Sequence, residues 1–491
     1  MTRMKRSGGT RQGRAGAGRP AIAFGTSGWR GVLGEEVTFP RVRAAVAGAL
    51  QWLEEQAGPP RRRVLVGFDA RFASERMARM AAASIRQRGL SPVLSDRPVA
   101  TPVVTAQVAR RRALGALVFT ASHNPPEHHG MKVFCRAGAC VDDTAARRIE
   151  ALAGRALAHG EAPAEDGLPR PVDLVSDYME ALLGLLDRRA IRRAAPIVVY
   201  DAMHGMGGGL LDEGLVRCGA KVEGLRLGPD PLFGGTTPDP IAERLGELAR
   251  RVRRGRGLRL GLATDGDGDR LAGVDASGHP LSETQMVALL VDHLAATGRL
   301  RRGVVISRAT GSLVEAVARD HGLPVVRRGM GFKHLSGALA SGEADAAGDE
   351  SGGFAFGRMG RDKDGIVAGC LLTEMLCLGG EPLAARLRRL ERRHGAFRCG
   401  RRAIGRDARV EEGLAGLFAA PPVRVAGAPV RRVEAGDGLH LALDDGFLMW
   451  RASGTEAVVR VYAEAPTAQG LARRLDWAVR RLRRAAGPSG R

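Results

Sequence analysis

Short apolar runs alternate along this chain with longer stretches in which apolar residues recur every three to four positions. That alternation predicts α/β units built on parallel sheets. Residues 64–67 read as a strand ahead of an amphipathic helix over 75–88, and residues 197–200 as a strand ahead of the glycine turn at 205–209. Residues 258–263 form another such strand, whose end delivers Asp265. The carboxyl ends of parallel strands are where these sheets place their ligands. No run approaches 18 apolar residues, so no membrane-spanning helix is expected. No Gly-x4-Gly-Lys-Ser/Thr loop occurs, which argues against a P-loop nucleotidase.

Punctuation divides the pattern. A chain of 491 residues is too long for one core and should form three or four domains. A Pro/Ala/Gly/acid-rich stretch at 160–171 reads as a first linker, and the turn at 275–280 as a second boundary before a helix at Glu283–Ala296. An arginine-rich helix at 382–394 closes a third unit, and a smaller lid-like domain follows from Phe397. The first 21 residues hold six Arg/Lys and no acid, and lack the apolar stretch of a signal peptide. The expected division is therefore a disordered basic tail at 1–21, then 22–165, 166–280, 281–394 and 395–491.

Charge and cysteine usage bound the partners. The net charge of +22 invites a nucleic-acid reading, but the chain has only 20 aromatic residues and no helix-turn-helix, zinc-finger or RNA-recognition signature. A solvated basic surface that concentrates small anions, with no specific nucleic acid and no membrane, is the expectation. Six cysteines form no Cys-x-x-Cys pair and read as reduced thiols of a cytoplasmic protein. Of 75 basic residues only Lys5, Lys132, Lys221, Lys333 and Lys363 are lysine, so each marks a place where the default arginine was not used. An amine, unlike a guanidinium, can lose its proton, which suggests Lys132, ten residues after Ser122, as a general acid/base. Lys333 lies beside another candidate segment and Lys363 follows one more loosely.

Two segments carry the candidate chemistry. Thr120-Ala121-Ser122-His123-Asn124-Pro125 presents a serine in a loop, and Asp265-Gly266-Asp267-Gly268-Asp269-Arg270 crowds three carboxylates into five residues. Carboxylates so close repel unless a cation sits among them, and a hard divalent ion such as Mg²⁺ suits an all-oxygen set. The spacing also opens an EF-hand, but that loop needs Gly at its sixth position and Glu at its twelfth, where this chain has Arg270 and Ala276. A serine beside such an ion suggests phosphoryl transfer through a phosphoserine. Asp- and Gly-rich surface turns remain the plainer reading of either segment alone.

Three more segments complete a series: Phe24-Gly25-Thr26-Ser27-Gly28-Trp29-Arg30-Gly31, Gly348-Asp349-Glu350-Ser351-Gly352-Gly353 and Arg451-Ala452-Ser453-Gly454-Thr455-Glu456. Taken in order from Phe24 to Glu456, the five segments resemble the signatures of the α-D-phosphohexomutase family, in its bacterial phosphoglucomutase/phosphomannomutase group. The resemblance implies three similar α/β domains with mixed and parallel sheets, plus a smaller α+β C-terminal domain, around a central cleft. It implies a mutase that moves phosphate between the 1- and 6-positions of glucose or mannose, through phosphoserine Ser122 and a hexose 1,6-bisphosphate that also serves as activator. Phosphoglucosamine mutase, and a catalytically silent sugar-phosphate or polyanion binder, are the alternatives. The oligomeric expectation is a monomer or homodimer.

Site roles follow from the same resemblance. Asp265, Asp267, Asp269 and an oxygen on Ser122 would ligate Mg²⁺. His123 and Asn124 would orient the loop or bind phosphate oxygens, or serve only the turn. Arg270 would bind phosphoryl oxygens or pair with its neighbouring acids, and Arg30 and Arg71 match positions close to the serine, with Asp69 able to pair with Arg71. Asp349 and Ser351 would read the 3- and 4-hydroxyls of the sugar. Asp349 stands where the family has Glu, and Glu350 either compensates or faces solvent. Amino-sugar mutases usually carry Gln and His in this loop. Lys333 matches a substrate-contacting position or is a surface charge. Arg451, Ser453, Gly454, Thr455 and Arg460 would clamp the phosphate that is not reacting. His128 and His129 replace a more common Asn-Gly pair, and the sequence assigns them no role.

Overall fold

The computed structural model describes residues 22–25, 28–56, 61–159, 168, 170–454 and 457–485. The basic segment 1–21, most of the expected first linker and Thr455 lie outside them. Three sheets share one plan. In the first, Arg63–Phe68 lies parallel to Ser91–Leu94 and to Gly115–Phe119, and the latter turns back antiparallel into His128–Phe134. In the second, Ile197–Asp201 lies parallel to Lys221–Leu225 and Arg259–Thr264, which turns back into Leu271–Val274. In the third, Val304–Ser307 lies parallel to Val325–Arg328 and Ala346–Gly348, which turns back into Phe354–Phe356.

This plan places the motifs. The turn out of the third parallel strand contains Ser122 in the first sheet, the three aspartates in the second, and Asp349 and Ser351 in the third. Three segments unlike in sequence thus occupy one topological position. Their feeding strands Gly115–Phe119 and Arg259–Thr264 are buried at every residue, as expected of strands covered on both faces.

The units are joined by helix Gly365–Gly379, apolar nearly all round and buried from Gly365 to Leu376. Asp364 caps it by accepting the Val367 N–H at 2.9 Å. The helix runs so close to the second sheet's unit that a Cβ on Gly369 would stand 2.6 Å from Leu211 Cδ1. One apolar core therefore continues from Val103 and Tyr178 through Leu262 to Val304 and Leu371.

The fourth unit is an antiparallel sheet ordered Arg398–Gly405, Val458–Ala465, Gly446–Ala452, Gly438–Leu443, Arg432–Gly436, with helices Ala408–Ala419 and Ala468–Ala485. It has its own core around Trp450, Val461, Leu475 and Leu482. It meets the third unit through a small cluster of Ala309 and Met330 with Phe447, Met449 and Tyr462. The molecule thus has the expected class, three α/β units and a smaller α+β unit. Among the described residues no single helix is long and apolar enough to cross a membrane.

Candidate active site

Ser122 is buried, with a left-handed backbone of φ 54°, and its N–H is received by Thr120 Oγ1 at 2.8 Å. That turn aims its hydroxyl at the second unit, where it donates to Asp265 Oδ2 at 2.9 Å. Positive φ in a serine is uncommon and marks a loop fixed by its surroundings. The fixing is done from behind by Arg71. Its Nη2 donates to the carbonyls of Ser122 and Asn124, each at 2.7 Å, and its Nη1 to those of Pro125 at 2.7 Å and His128 at 3.0 Å. Arg71 is thus a clamp on the loop's backbone. Its own carboxylate partner is Asp69, 3.3 Å away, and its guanidinium lies over the Phe233 ring at 4.7 Å.

His129 completes that support. The Gly130 N–H reaches its Nδ1 at 2.7 Å, so Nε2 carries the proton and donates to Ser74 Oγ at 2.8 Å. Ser74 in turn donates to Asp69 Oδ1 at 2.6 Å. Burial, opposed by Asp69, holds the imidazole below its ordinary pKa, in keeping with a neutral link. The two neighbouring histidines therefore do different things. His128 offers a carbonyl to Arg71, and His129 relays to the acid that orients it.

The acidic triplet is fully buried, and ligand oxygens from Asp265, Asp267 and Asp269 lie within 4.8 Å of one another. The loop is closed by Asp265 Oδ1, which accepts the N–H groups of Asp269 at 3.0 Å and Arg270 at 3.1 Å. Thr101, at the start of helix Thr101–Arg110, donates its hydroxyl to Asp267 Oδ2 at 2.5 Å. Lys132 supplies charge: its Nζ lies 2.6 Å from both Asp267 Oδ2 and Asp269 Oδ2. Burial works against ionising Asp267 and Asp269, but Lys132 outweighs it and both carboxyls sit below the usual range. Burial, then Asp269 and Asp267, pushes Asp265 well above it. Burial would likewise strip the proton from Lys132, yet the two carboxylates overcome it and raise the ammonium's pKa. In this arrangement Lys132 is a cation, not a base.

The triplet fits a hard divalent ion. Asp267 Oδ1 and Asp269 Oδ1 are buried without any hydrogen bond, an expensive state for carboxylate oxygens unless a cation is their partner.

Around the triplet, Arg30 donates to Asn124 Oδ1 at 3.0 Å, and Arg270 lies 3.8 Å from Asp239 rather than against its own neighbouring acids. Burial, with Arg270 and Arg30 alongside, holds the His123 imidazole well below its ordinary pKa, and its Nδ1 stands 3.5 Å from Ser122 Oγ. Sequence reasoning missed Thr101, Phe233, Pro238 and Asp239. Pro238 accepts the Gly266 N–H at 3.1 Å, and a Cβ on Gly266 would lie 2.9 Å from the Pro238 ring. None of these belongs to a motif that would have flagged it.

The sugar-loop candidates are placed differently from one another. The metal and sugar loops meet by backbone, Leu271 N–H to Gly352 C=O at 3.2 Å. Asp349 Oδ1 accepts the N–H groups of Ser351 and Gly353 and the Ser351 hydroxyl at 2.8–2.9 Å, so that oxygen shapes its own loop. Glu350 is half-buried: its Oε2 accepts the Ser307 hydroxyl at 2.5 Å, and burial next to Asp349 raises its pKa to about 6. Lys333 is nearly buried and ion-paired with Asp143 of the first unit, whose other oxygen lies 3.6 Å from His334 Nε2. In the fourth unit Arg451 and Arg460 face each other across adjacent strands, with Asp437 3.0 Å from Arg451 Nε and the Ser453-Gly454 turn just beyond. Like charges opposed in a sheet are unfavourable unless an anion joins them. Thr455 cannot be added, since it lies outside the described residues.

Comparison with known proteins agrees with this assembly. Four family models match in order: phosphoglucomutase/phosphomannomutase alpha/beta/alpha domain I at residues 21–158, domain II at 176–278, domain III at 282–393 and the C-terminal domain at 407–481. A phosphoglucomutase/phosphomannomutase of Thermococcus kodakarensis is 28% identical over 464 residues, covering 94% of this chain and 98% of its own. A phosphoglucosamine mutase of Mycolicibacterium gilvum is 30% identical over 453 residues, covering 91% and 95%. The crystal structure of a protein described as a putative phosphomannomutase from Thermus thermophilus superposes with a TM-score of 0.81 at 28% identity, over 94% of this chain and 98% of that one. The four models together cover most of the chain in order, and the chain belongs to the phosphoglucomutase/phosphomannomutase family of phosphohexomutases.

Proposed function

We propose that this phosphohexomutase interconverts the 1- and 6-phosphates of glucose, mannose or both, through phosphate carried on Ser122 and a hexose 1,6-bisphosphate that also activates the enzyme. The observation that carries the reading is the 2.9 Å contact between Ser122 Oγ and Asp265 Oδ2, made across two units. In the first half-reaction the Ser122 Oγ–P bond breaks as an O–P bond forms to the free sugar hydroxyl, whose proton passes to a base. In the second, the O–P bond at the other sugar position breaks as a bond re-forms to Ser122 Oγ, and the base returns its proton to the departing sugar oxygen.

Asp265, Asp267, Asp269 and an oxygen of phosphorylated Ser122 would hold Mg²⁺, which when bound draws charge from the transferring group. Lys132 fits the general acid/base role only when its two carboxylates are otherwise engaged, since they are what hold its proton. Arg30, His123 and Arg270 line the reacting end, while Ser351 and Glu350, with Asp349 shaping the loop, would read the sugar. Lys333, Arg451, Ser453, Gly454 and Arg460, with Thr455 by sequence alone, would hold the distal phosphate. Domain boundaries near 165, 280 and 394, a cytoplasmic setting and action as a monomer or homodimer belong to the same reading. The six cysteines are all free thiols.

Phosphoglucosamine mutase is the second reading, favoured by the name of the Mycolicibacterium gilvum relative. Against it, the loop at 348–353 holds neither the Gln nor the His that amino-sugar mutases usually carry there. Intact-mass measurement of purified protein and a coupled assay with four hexose phosphates, with and without 1,6-bisphosphate, test both readings. Absence of phosphate together with full activity in Ser122→Ala would end the phosphoserine scheme, and a clear preference for glucosamine 6-phosphate would exchange the substrate.

A further inference from the structure

Thr101 holds Asp267 at two points across the boundary between the first and second units. Its hydroxyl donates to Asp267 Oδ2 at 2.5 Å, and its N–H donates to the Asp267 carbonyl at 3.0 Å. Both residues are fully buried. With its backbone and its side chain fixed to one threonine, the aspartate cannot turn its carboxylate without breaking a contact. Lys132 Nζ comes to the same Oδ2 at 2.6 Å, so that oxygen has its partners inside the protein. Asp267 Oδ1 makes no hydrogen bond among the described residues and is the atom left to meet a cation.

The fold puts Thr101 where this is possible. It opens helix Thr101–Arg110, whose cap residue Ala100 offers no side chain to the first turn. The Thr101 N–H is one of the amides that a helix leaves without an internal acceptor, and the Asp267 carbonyl takes it. The positive end of the helix dipole favours a carboxylate at the same place. The metal loop is seated tightly on this terminus: a Cβ on Gly268, whose φ is 73°, would stand 3.2 Å from Ala100 Cβ. The other two aspartates are held differently. Asp265 Oδ1 accepts amides of its own loop, and Asp269 Oδ2 meets the amines of Lys132 at 2.6 Å and Lys363 at 3.2 Å. An ammonium turns freely and would follow either oxygen of a carboxylate, whereas the Thr101 hydroxyl is fixed beside its own pinned backbone.

We propose that Thr101 is a positioning residue of the metal centre, whose hydroxyl engages Asp267 Oδ2 and so offers Oδ1 to the divalent ion. Ion affinity in the second unit then depends on how the first unit's helix is seated. The assignment rests on the Mg²⁺ reading above.

The test is direct binding of Mg²⁺ by calorimetry and of Mn²⁺ by its paramagnetic resonance signal, with no turnover required. The proteins are chelator-treated full-length wild type, Thr101→Val and Thr101→Ser, matched for phosphate content by intact mass, with melting temperature in chelator recorded alongside. Valine keeps the shape of threonine and the N–H bond to the Asp267 carbonyl but has no hydroxyl, and serine restores the hydroxyl. Both ions are expected to bind Thr101→Val about 10- to 100-fold more weakly than wild type, the range for losing a partner that orients a metal ligand. Thr101→Ser is expected to bind them close to the wild-type affinity. Should Thr101→Val not fold, Thr101→Ala removes the same hydroxyl and carries the same expectation. Wild-type ion affinity in whichever of the two folds would overturn the assignment, even with a lowered melting temperature, because the hydroxyl would then serve packing alone. Equal losses of affinity in the serine and valine variants would overturn it too. A wild type that binds neither ion would instead remove the metal reading, and this assignment with it.

Discussion

Arg71 donates to the backbone carbonyl of Ser122 at 2.7 Å, so the proposed nucleophile is held from the side opposite its hydroxyl. Four carbonyls of one loop converge on this guanidinium, and its planar fork is the only side chain that can serve them together. Arg71→Lys keeps the charge and loses the fork, leaving buried acceptors without donors. We expect it to destabilise the protein by about 3 kcal/mol and to empty Ser122 of phosphate. Urea denaturation and intact-mass measurement read the two effects. A variant as stable and as phosphorylated as wild type would show that the loop holds its turn unaided.

Much of this was legible beforehand. The alternating apolar runs foretold α/β units, and the five segments pointed to the reacting loops. What stayed hidden was anything whose meaning depends on a distant neighbour. The equivalence of the serine, aspartate and sugar loops lies in strand topology, which Ser122, Asp267 and Ser351 do not spell in residues. Thr101 holds Asp267 from 166 positions away and has no motif of its own. His129 looked idle because its partners, Ser74 and Asp69, belong to another strand's exit. The scarcity of lysine was the better clue, since Lys132 and Lys363 both come to Asp269.

Lys132 and a divalent ion would answer the same electrostatic demand, which gives a test without catalysis. Removing one partner of a buried ion pair costs about 3–5 kcal/mol, because the other charge is left uncompensated. Lys132→Met should therefore melt well below wild type in chelator. Added Mg²⁺ should stabilise the variant more than the wild type, since binding to the folded state alone raises stability. Calorimetric melting of both proteins with chelator and with Mg²⁺ measures the gap. If it is the same in both media, the ammonium and the ion do not compete for these carboxylates.

Asp364 makes stability depend on pH in a predictable direction. Burial raises its pKa from 3.8 to about 7, although it accepts the Val367 N–H and the Tyr178 hydroxyl. Between those values the folded chain holds a proton that the unfolded chain has released, so stability from this group is present in acid and is lost as pH rises to about 7. Asp364→Asn cannot ionise and keeps an acceptor for the cap. Its melting temperature relative to wild type should climb from pH 5 to pH 7 and level off above. A difference that stays flat across that range would mean Asp364 is ionised throughout.

Glu464 fastens the fourth unit to the third. Helix Ser312–Asp320 begins at Gly311, which has no side chain to cap it. Glu464, from strand Val458–Ala465, supplies the cap by accepting the Ser312 N–H and hydroxyl, each at 2.6 Å. The same sheet carries Arg451 and Arg460, so the proposed phosphate clamp is positioned through this contact. Glu464→Ala should free the Ser312 amide, seen as faster hydrogen exchange over the first turn of that helix. It should also raise KM for a hexose monophosphate about tenfold while kcat changes less, because the distal phosphate is bound alike before and during transfer. Equal losses in kcat and kcat/KM with unaltered exchange would mean that the clamp is positioned by the Phe447 and Tyr462 contact instead.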